Sequence, residues 1–164
     1  MSWKRCPSEV NEYMRYRVEN GGSLARKTSE GSDYCTIIAE RGIGRGDSYA
    51  VRIASGDGSN IFVGLAPYDI DQNSNYNYER NGCYFHCGNS KLYAGYPKNV
   101  SDECYGDMSG YVGCGAVIGV HMDDDNNVRF SVNGNMGPIA YEDVTGSLVP
   151  CVIIRERGDA VELC

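Results

Sequence analysis

Residues 116–134 read AVIGVHMDDDNNVRFSVNG. In the first half Val117, Gly119 and His121 alternate with Ile118, Val120 and Met122. In the second half Val128, Phe130 and Val132 alternate with Arg129, Ser131 and Asn133. A period of two sorts each set onto one side of an extended strand, which a helix cannot do. The polar run between the halves consists of residues that tolerate turn geometry and bond their own backbone, and Asn126 takes a left-handed conformation more readily than most residues. Two alternating strands around such a run make a β-hairpin.

The rest of the chain follows the same grammar. YCTIIAE (34–40), SYAVRIAS (48–55), NIFVGLAP (60–67), GCYFHC (82–87), KLYAG (91–95), LVPCVIIRE (148–156) and AVELC (160–164) are β-branched or aromatic stretches bounded by turn-forming residues. The stretches at 82–87 and 91–95 are close enough to pair as a second hairpin. No segment after residue 20 holds a helical period. Residues 8–18, SEVNEYMRYRV, fit either period: Val10, Tyr13 and Met14 share a helical face, whereas Met14, Tyr16 and Val18 share a strand face. We read them as a strand preceded by a short helical turn. With 21 glycines in 164 residues and no repeat or linker, the expectation is one domain spanning 1–164, an all-β antiparallel sandwich.

Net charge is −7 and no basic cluster exists, so phosphate backbones and anionic membrane surfaces are poor partners. No apolar run approaches the ~18 residues of a membrane span. The first residues, MSWKRCPSEVNEY, lack the apolar core of a signal peptide, which points to the cytoplasm. There the eight cysteines are expected as free thiols, not bridges.

The acidic run invites a metal reading. An EF-hand started at Asp123 would place Val128 where the loop needs glycine and Gly134 where it needs a bidentate glutamate, so that reading fails. For Cys83, His86 and Cys87, with Cys104 and Cys114, core thiols are a better reading than zinc: in a strand Cys83 and Cys87 share a face with Phe85 while His86 points the other way. We expect no metal and no cofactor. RGDS (45–48) reads as a loop before a strand, and no dinucleotide fingerprint, nucleophile elbow or zinc-protease motif is present.

The segment AVIGVHMDDDNNVRFSVNGNMGPIAYEDV followed by LVPCVIIRE resembles the late half of a SPRY domain, the core of the B30.2-like family. The matching residues are Gly115, Val117, Ile118, Gly119, Asp123, Phe130, Asn133, Gly134, Gly137 and Pro150, with Gly64 in IFVGLA upstream. The resemblance covers 48–164. Ala116 departs from it, standing where the family carries an aspartate. It implies a bent antiparallel β-sandwich of the concanavalin-like, SPRY jelly-roll kind. It also implies a non-enzymatic module that binds short peptides or protein surfaces through loops at one end, often as the substrate-recruiting part of ubiquitin ligases or as a scaffold module.

Two irregular segments, 68–81 and 96–110, are long enough to carry function. Eight of the 13 tyrosines lie between Tyr68 and Tyr111, interleaved with asparagine and serine, the composition of adaptable binding loops. The expected partner-binding residues are Tyr68, Asp69, Asn73, Tyr76, Tyr78 and Arg80 in the first segment and Tyr96 and Tyr105 in the second. Two other readings stay open: a lectin-like carbohydrate module on a similar sandwich, and a hydrolase using one cysteine as nucleophile.

Overall fold

The structure, a computed structural model, describes residues 1–94, 105–106 and 112–164. In chain order the strands are β1 (Tyr16–Glu19), β2 (Leu24–Lys27), β3 (Cys35–Ile38), β4 (Ser48–Ser55), β5 (Ile61–Pro67), β6 (Cys83–His86), β7 (Leu92–Ala94), β8 (Val117–Met122), β9 (Val128–Val132), β10 (Asn135–Met136), β11 (Leu148–Ile154) and β12 (Ala160–Leu163). A single helical turn, α1 (Asn77–Arg80), precedes β6. Among the described residues the strands form two antiparallel sheets. One runs β1-β2-β12-β4-β8-β9-β10 and the other β3-β11-β5-β6-β7.

Alternation decides what lies between the sheets. Val51 and Ile53 of β4, Ile118 and Val120 of β8, and Phe130 of β9 point inward, while Ser48 and Arg52 face solvent. The five-stranded sheet is buried on both faces. From β5, Ile61, Val63 and Leu65 enter the inter-sheet core, whereas Phe62 and Ala66 enter a second cluster with Tyr84, Val149, Cys151 and Ile153. This two-sided burial is why β11 reads as an unbroken apolar run without a polar face. Gly64 sits where β5 crosses β6 so closely that a Cβ would collide with the Cys83 carbonyl.

The hairpin at 116–134 forms as its pattern requires, with Ile118 opposite Val132 and Met122 opposite Val128. Asn126 has φ +62°. Asp123 Oδ1 accepts the amides of Asp125 and Asn127, both at 2.9 Å, so this carboxylate closes the turn. Those amides, that of Asn127 first, hold its pKa below the usual carboxylate range. The RGDS segment is the loop before β4. The Asp47 carboxylate accepts the Gly44 amide at 2.8 Å, and Arg45 reaches Asn126 Oδ1 at 3.2 Å.

Two parts of the N-terminal reading need correction. Residues 8–14 form turns, not a helical turn, because side chains intercept the amides a helix would use. Asn73 Oδ1 takes the Asn11 amide at 2.7 Å, and Asn11 Oδ1 takes that of Tyr13 at 2.9 Å. Strand β2 was also hidden in the sequence, since its last residue, Lys27, is a fully buried lysine that breaks the alternation. Ahead of these, Trp3 is buried against β3 and bridges to Ala39, with its amide donating to the Gly22 carbonyl at 2.8 Å. Residues 2–4 thereby tie one sheet to the other.

Candidate functional site

The chain leaves β5 at Pro67 and returns at β6. The residues between fold back over the outer face of the five-stranded sheet, where Ile70 and Tyr78 join its apolar cluster. Two polar anchors fix this roof to Thr36 of β3. Gln72 Nε2 donates to the Thr36 carbonyl and to the Tyr16 hydroxyl, both at 3.0 Å. Asn77 Nδ2 donates to Thr36 Oγ1 at 2.9 Å and to the Asp71 carbonyl at 2.8 Å. Both anchors are buried, so an asparagine-rich stretch that reads as a solvated loop is hydrogen-bonded into the fold.

The expected binding residues divide accordingly. Tyr68 and Tyr76 are 59% and 49% exposed. Asp69 and Arg80 are exposed as well, and the Arg80 guanidinium lies 5.6 Å from the centre of the Tyr76 ring. Asn73 is exposed but also acts as a clip, receiving the Asn11 amide and donating to the Glu9 carbonyl at 3.3 Å. Tyr78 is half-buried. It stacks on Phe62 at 4.7 Å and lies 4.5 Å from Tyr34, and burial raises its pKa. Tyr96 lies outside the described residues.

Tyr105 requires correction: it is fully buried. Its hydroxyl donates to the Pro138 carbonyl and accepts the Phe130 amide at 3.1 Å, and its ring packs edge-on against Phe130.

Tyr68, Asp69 and Asn73 share a cleft of about 340 Å³ with Lys4, Glu9 and Gln72. The Lys4 ammonium lies 6.0 Å from the centre of the Tyr68 ring. Lys4, Glu9 and Gln72 escaped the sequence reading. The first two lie some sixty residues upstream and reach the cleft through long-range contacts, Lys4 through its amide hydrogen bond to the Ile38 carbonyl and Glu9 through the clip formed by Asn73; Gln72 lacked any signal that separates a buried amide from a solvated one. A larger hollow of about 450 Å³ lies between residues 2–5 and the turn after β1. Its carboxylates are already committed: Glu19 to Arg26 at 3.0 Å and Glu40 to the Ser2 hydroxyl at 2.8 Å.

Groups with catalytic potential are directed elsewhere. Cys83 and Cys87 sit in the inter-sheet core beside Phe85, and burial pushes both thiols up to about 12, far from a reactive thiolate. His86 lies on the opposite face, 4.4 Å from Phe62, with Nδ1 accepting the Asn89 amide at 3.2 Å. His121 Nε2 pairs with Ser131 Oγ at 2.9 Å, and no carboxylate orients its other nitrogen among the described residues. Burial lowers the pKa of both histidines. Among the described residues no group of three metal-ligating side chains converges, and no helix is long and apolar enough to cross a membrane.

No family model matches this sequence, and no curated protein matches it. The three-dimensional arrangement does find relatives. The SPRY domain of human HERC1 superposes with a TM-score of 0.71 over 91% of this chain and 91% of its own, at 20% identity. The chain has the SPRY-domain fold. A second human SPRY domain matches with a TM-score of 0.70 over 99% of this chain and 96% of its own, at 19% identity. The TRIM65 PSpry domain matches with a TM-score of 0.62 over 100% and 92%, at 11% identity. The SPRY fold therefore extends to the residues before 48, beyond the stretch whose sequence resembles it. It includes the β3 edge that anchors the candidate site.

Proposed function

We propose that this chain is a non-enzymatic protein-interaction module acting as one domain over residues 1–164. In this reading it binds a short peptide or protein surface through the segment between β5 and β6, as a substrate-recruiting or scaffold part of a larger cytoplasmic protein. The observation that carries the reading is the roof itself: Tyr68 and Tyr76 stand half-exposed on a backbone held by buried Gln72 and Asn77. Rigid aromatic rings with polar tips, presented on a fixed backbone, give contact area at low entropic cost. The SPRY-domain fold supports an interaction role over catalysis. So do core thiols held in the protonated form.

The test compares the intact chain with Tyr68→Ala/Tyr76→Ala in capture from reduced cell lysate, with bound proteins identified by mass spectrometry. Tyr78 is left untouched because its ring belongs to the roof. A protein held by the intact chain and lost from an equally stable variant is the expected result. Identical retention by both would move the site away from this segment.

A further inference from the structure

We propose that the cleft beside Tyr68 receives an arginine side chain of the partner peptide. The inference rests on the interaction reading above and specifies its chemistry.

The first observation is an acceptor without a donor. Gln72 is 9% exposed and forms part of the cleft wall. Its amide nitrogen donates to the Thr36 carbonyl, which can only accept, and this fixes the nitrogen at that end of the amide. The oxygen at the other end has no hydrogen-bond partner among the described residues. That oxygen is not sealed from solvent, since the one buried side-chain polar atom without a partner among the described residues is Trp3 Nε1, so it is free to accept a hydrogen bond from a ligand in the cleft.

The second observation is charge. Glu9, Asp69 and Asp71 line the cleft against the single ammonium of Lys4, three negative groups to one positive. Asp71 Oδ1 is occupied by the Asn73 amide at 2.9 Å, while Asp69 has no hydrogen-bond or ion-pair partner among the described residues. An anion would be repelled here, and an apolar side chain would leave both the carboxylates and the Gln72 oxygen unmatched.

The third is the Tyr68 ring. Its face already accepts the Lys4 ammonium at 6.0 Å, and it remains 59% exposed for a second cation. A guanidinium is planar, carries five donors in one fork and stacks on aromatic faces, so it can serve the Gln72 oxygen and the Asp69 carboxylate while lying against the ring. An ammonium can donate to the same oxygens but cannot stack. A cleft of about 340 Å³ is at the small end of ligand pockets and suits one long side chain.

The experiment is an NMR titration of the full isotope-labelled chain with three probes: Nα-acetyl-arginine methylamide, the citrulline analogue (same shape, no charge) and the lysine analogue. Saturable shifts at the Gln72 side-chain amide and the backbone amides of 69–73 are expected with arginine. Citrulline should bind roughly tenfold more weakly, and the arginine preference should shrink as salt is added. Glu9→Gln/Asp69→Asn, which touches no anchor of the roof, should weaken the arginine probe roughly five- to tenfold at unchanged thermal stability. Equal binding of arginine and citrulline, tighter binding of lysine, or shifts confined to another surface would each overturn the proposal.

A parallel capture from peptide libraries with arginine, leucine or glutamate fixed at the centre separates the two readings. Peptides bound through Tyr68 and Tyr76 without preference for arginine would keep the interaction role and sink the arginine pocket. No peptide bound, with the arginine probe still seated, would sink the interaction role alone.

Discussion

Lys27 is fully buried at the end of β2, and among the described residues no carboxylate pairs with it. Its ammonium donates instead to the carbonyls of Gly31 at 3.1 Å, Asp33 at 2.8 Å and Arg155 at 2.5 Å. These three bonds join β2 to the turn before β3 and to the end of β11. Burial lowers the lysine pKa, so desolvation opposes the arrangement. Lys27→Met removes that opposition, worth several kcal/mol, but strands three carbonyls at about 1–3 kcal/mol each. Replacing a buried ion pair by apolar residues is often neutral because both partners go. Here the acceptors are backbone and stay, so the loss should win. We expect a net destabilisation of about 2–4 kcal/mol, a fall in Tm of about 4–16 °C for a chain of this size. Urea unfolding followed by circular dichroism reads it directly, with an unchanged m-value showing that the denatured state is the same. Arg17→Met at an exposed pair on the neighbouring strand is the control and should stay within about 0.5 kcal/mol. A Lys27→Met protein as stable as the wild type, at unchanged m, would refute the reasoning, because desolvation would then outweigh three well-placed hydrogen bonds.

Three further outcomes follow from the packing. Tyr78→Ala, which removes the ring stacked on Phe62 and Tyr34, should cost about 2–4 kcal/mol in urea unfolding, whereas Tyr76→Ala should cost under about 0.5 kcal/mol. Asp159 has its carboxyl pushed up to about 6 by burial first and then by the charges of Asp57 and Glu156. A raised carboxyl pKa stabilises the fold fully below the unfolded value near 3.8, and that contribution is lost as pH rises through about 6. Asp159→Asn should therefore gain on the order of 1–3 kcal/mol at pH 7 and flatten the stability profile between pH 4 and 7; an unchanged profile would count against the burial argument. In timed alkylation of the folded protein, Cys114 and Cys164, both exposed, should react well before Cys35, Cys83, Cys87 and Cys151, all buried; early loss of a core thiol would revive a nucleophile.

The parts of the fold legible in the sequence were those where a single rule acts. The β8–β9 hairpin needs only a period of two and a turn, and both the register and the left-handed Asn126 agree with the pattern. The strand at 148–154 was equally clear, although its lack of a polar face holds a message that periodicity does not spell out: something covers the outside of the sheet. That cover is the segment 68–82, and it sorts the residues expected at the site. Tyr68, Asp69 and Asn73 do converge, whereas Tyr78 stacks inward, because tyrosines on one loop are identical in sequence whether they roof a sheet or face water. Lys27 hid β2 because a charged residue at a core position is readable only once its three carbonyls are assembled, two from the turn that follows β2 and one from Arg155, 128 residues further on. Tyr105 was misplaced for the same reason, its two hydrogen-bond partners lying on later strands and loops.

In the proposed binding role, the anchoring of the roof to Thr36 bears on the kinetics of docking. The conformational freedom of residues 71–77 is surrendered when the sandwich folds, not when a partner arrives. Encounter is then the meeting of a finished surface with a ligand that alone must order itself, so differences among ligands should show in how long they stay more than in how fast they arrive. Part of any affinity is thereby held by a threonine on β3 that lies beneath the contact surface.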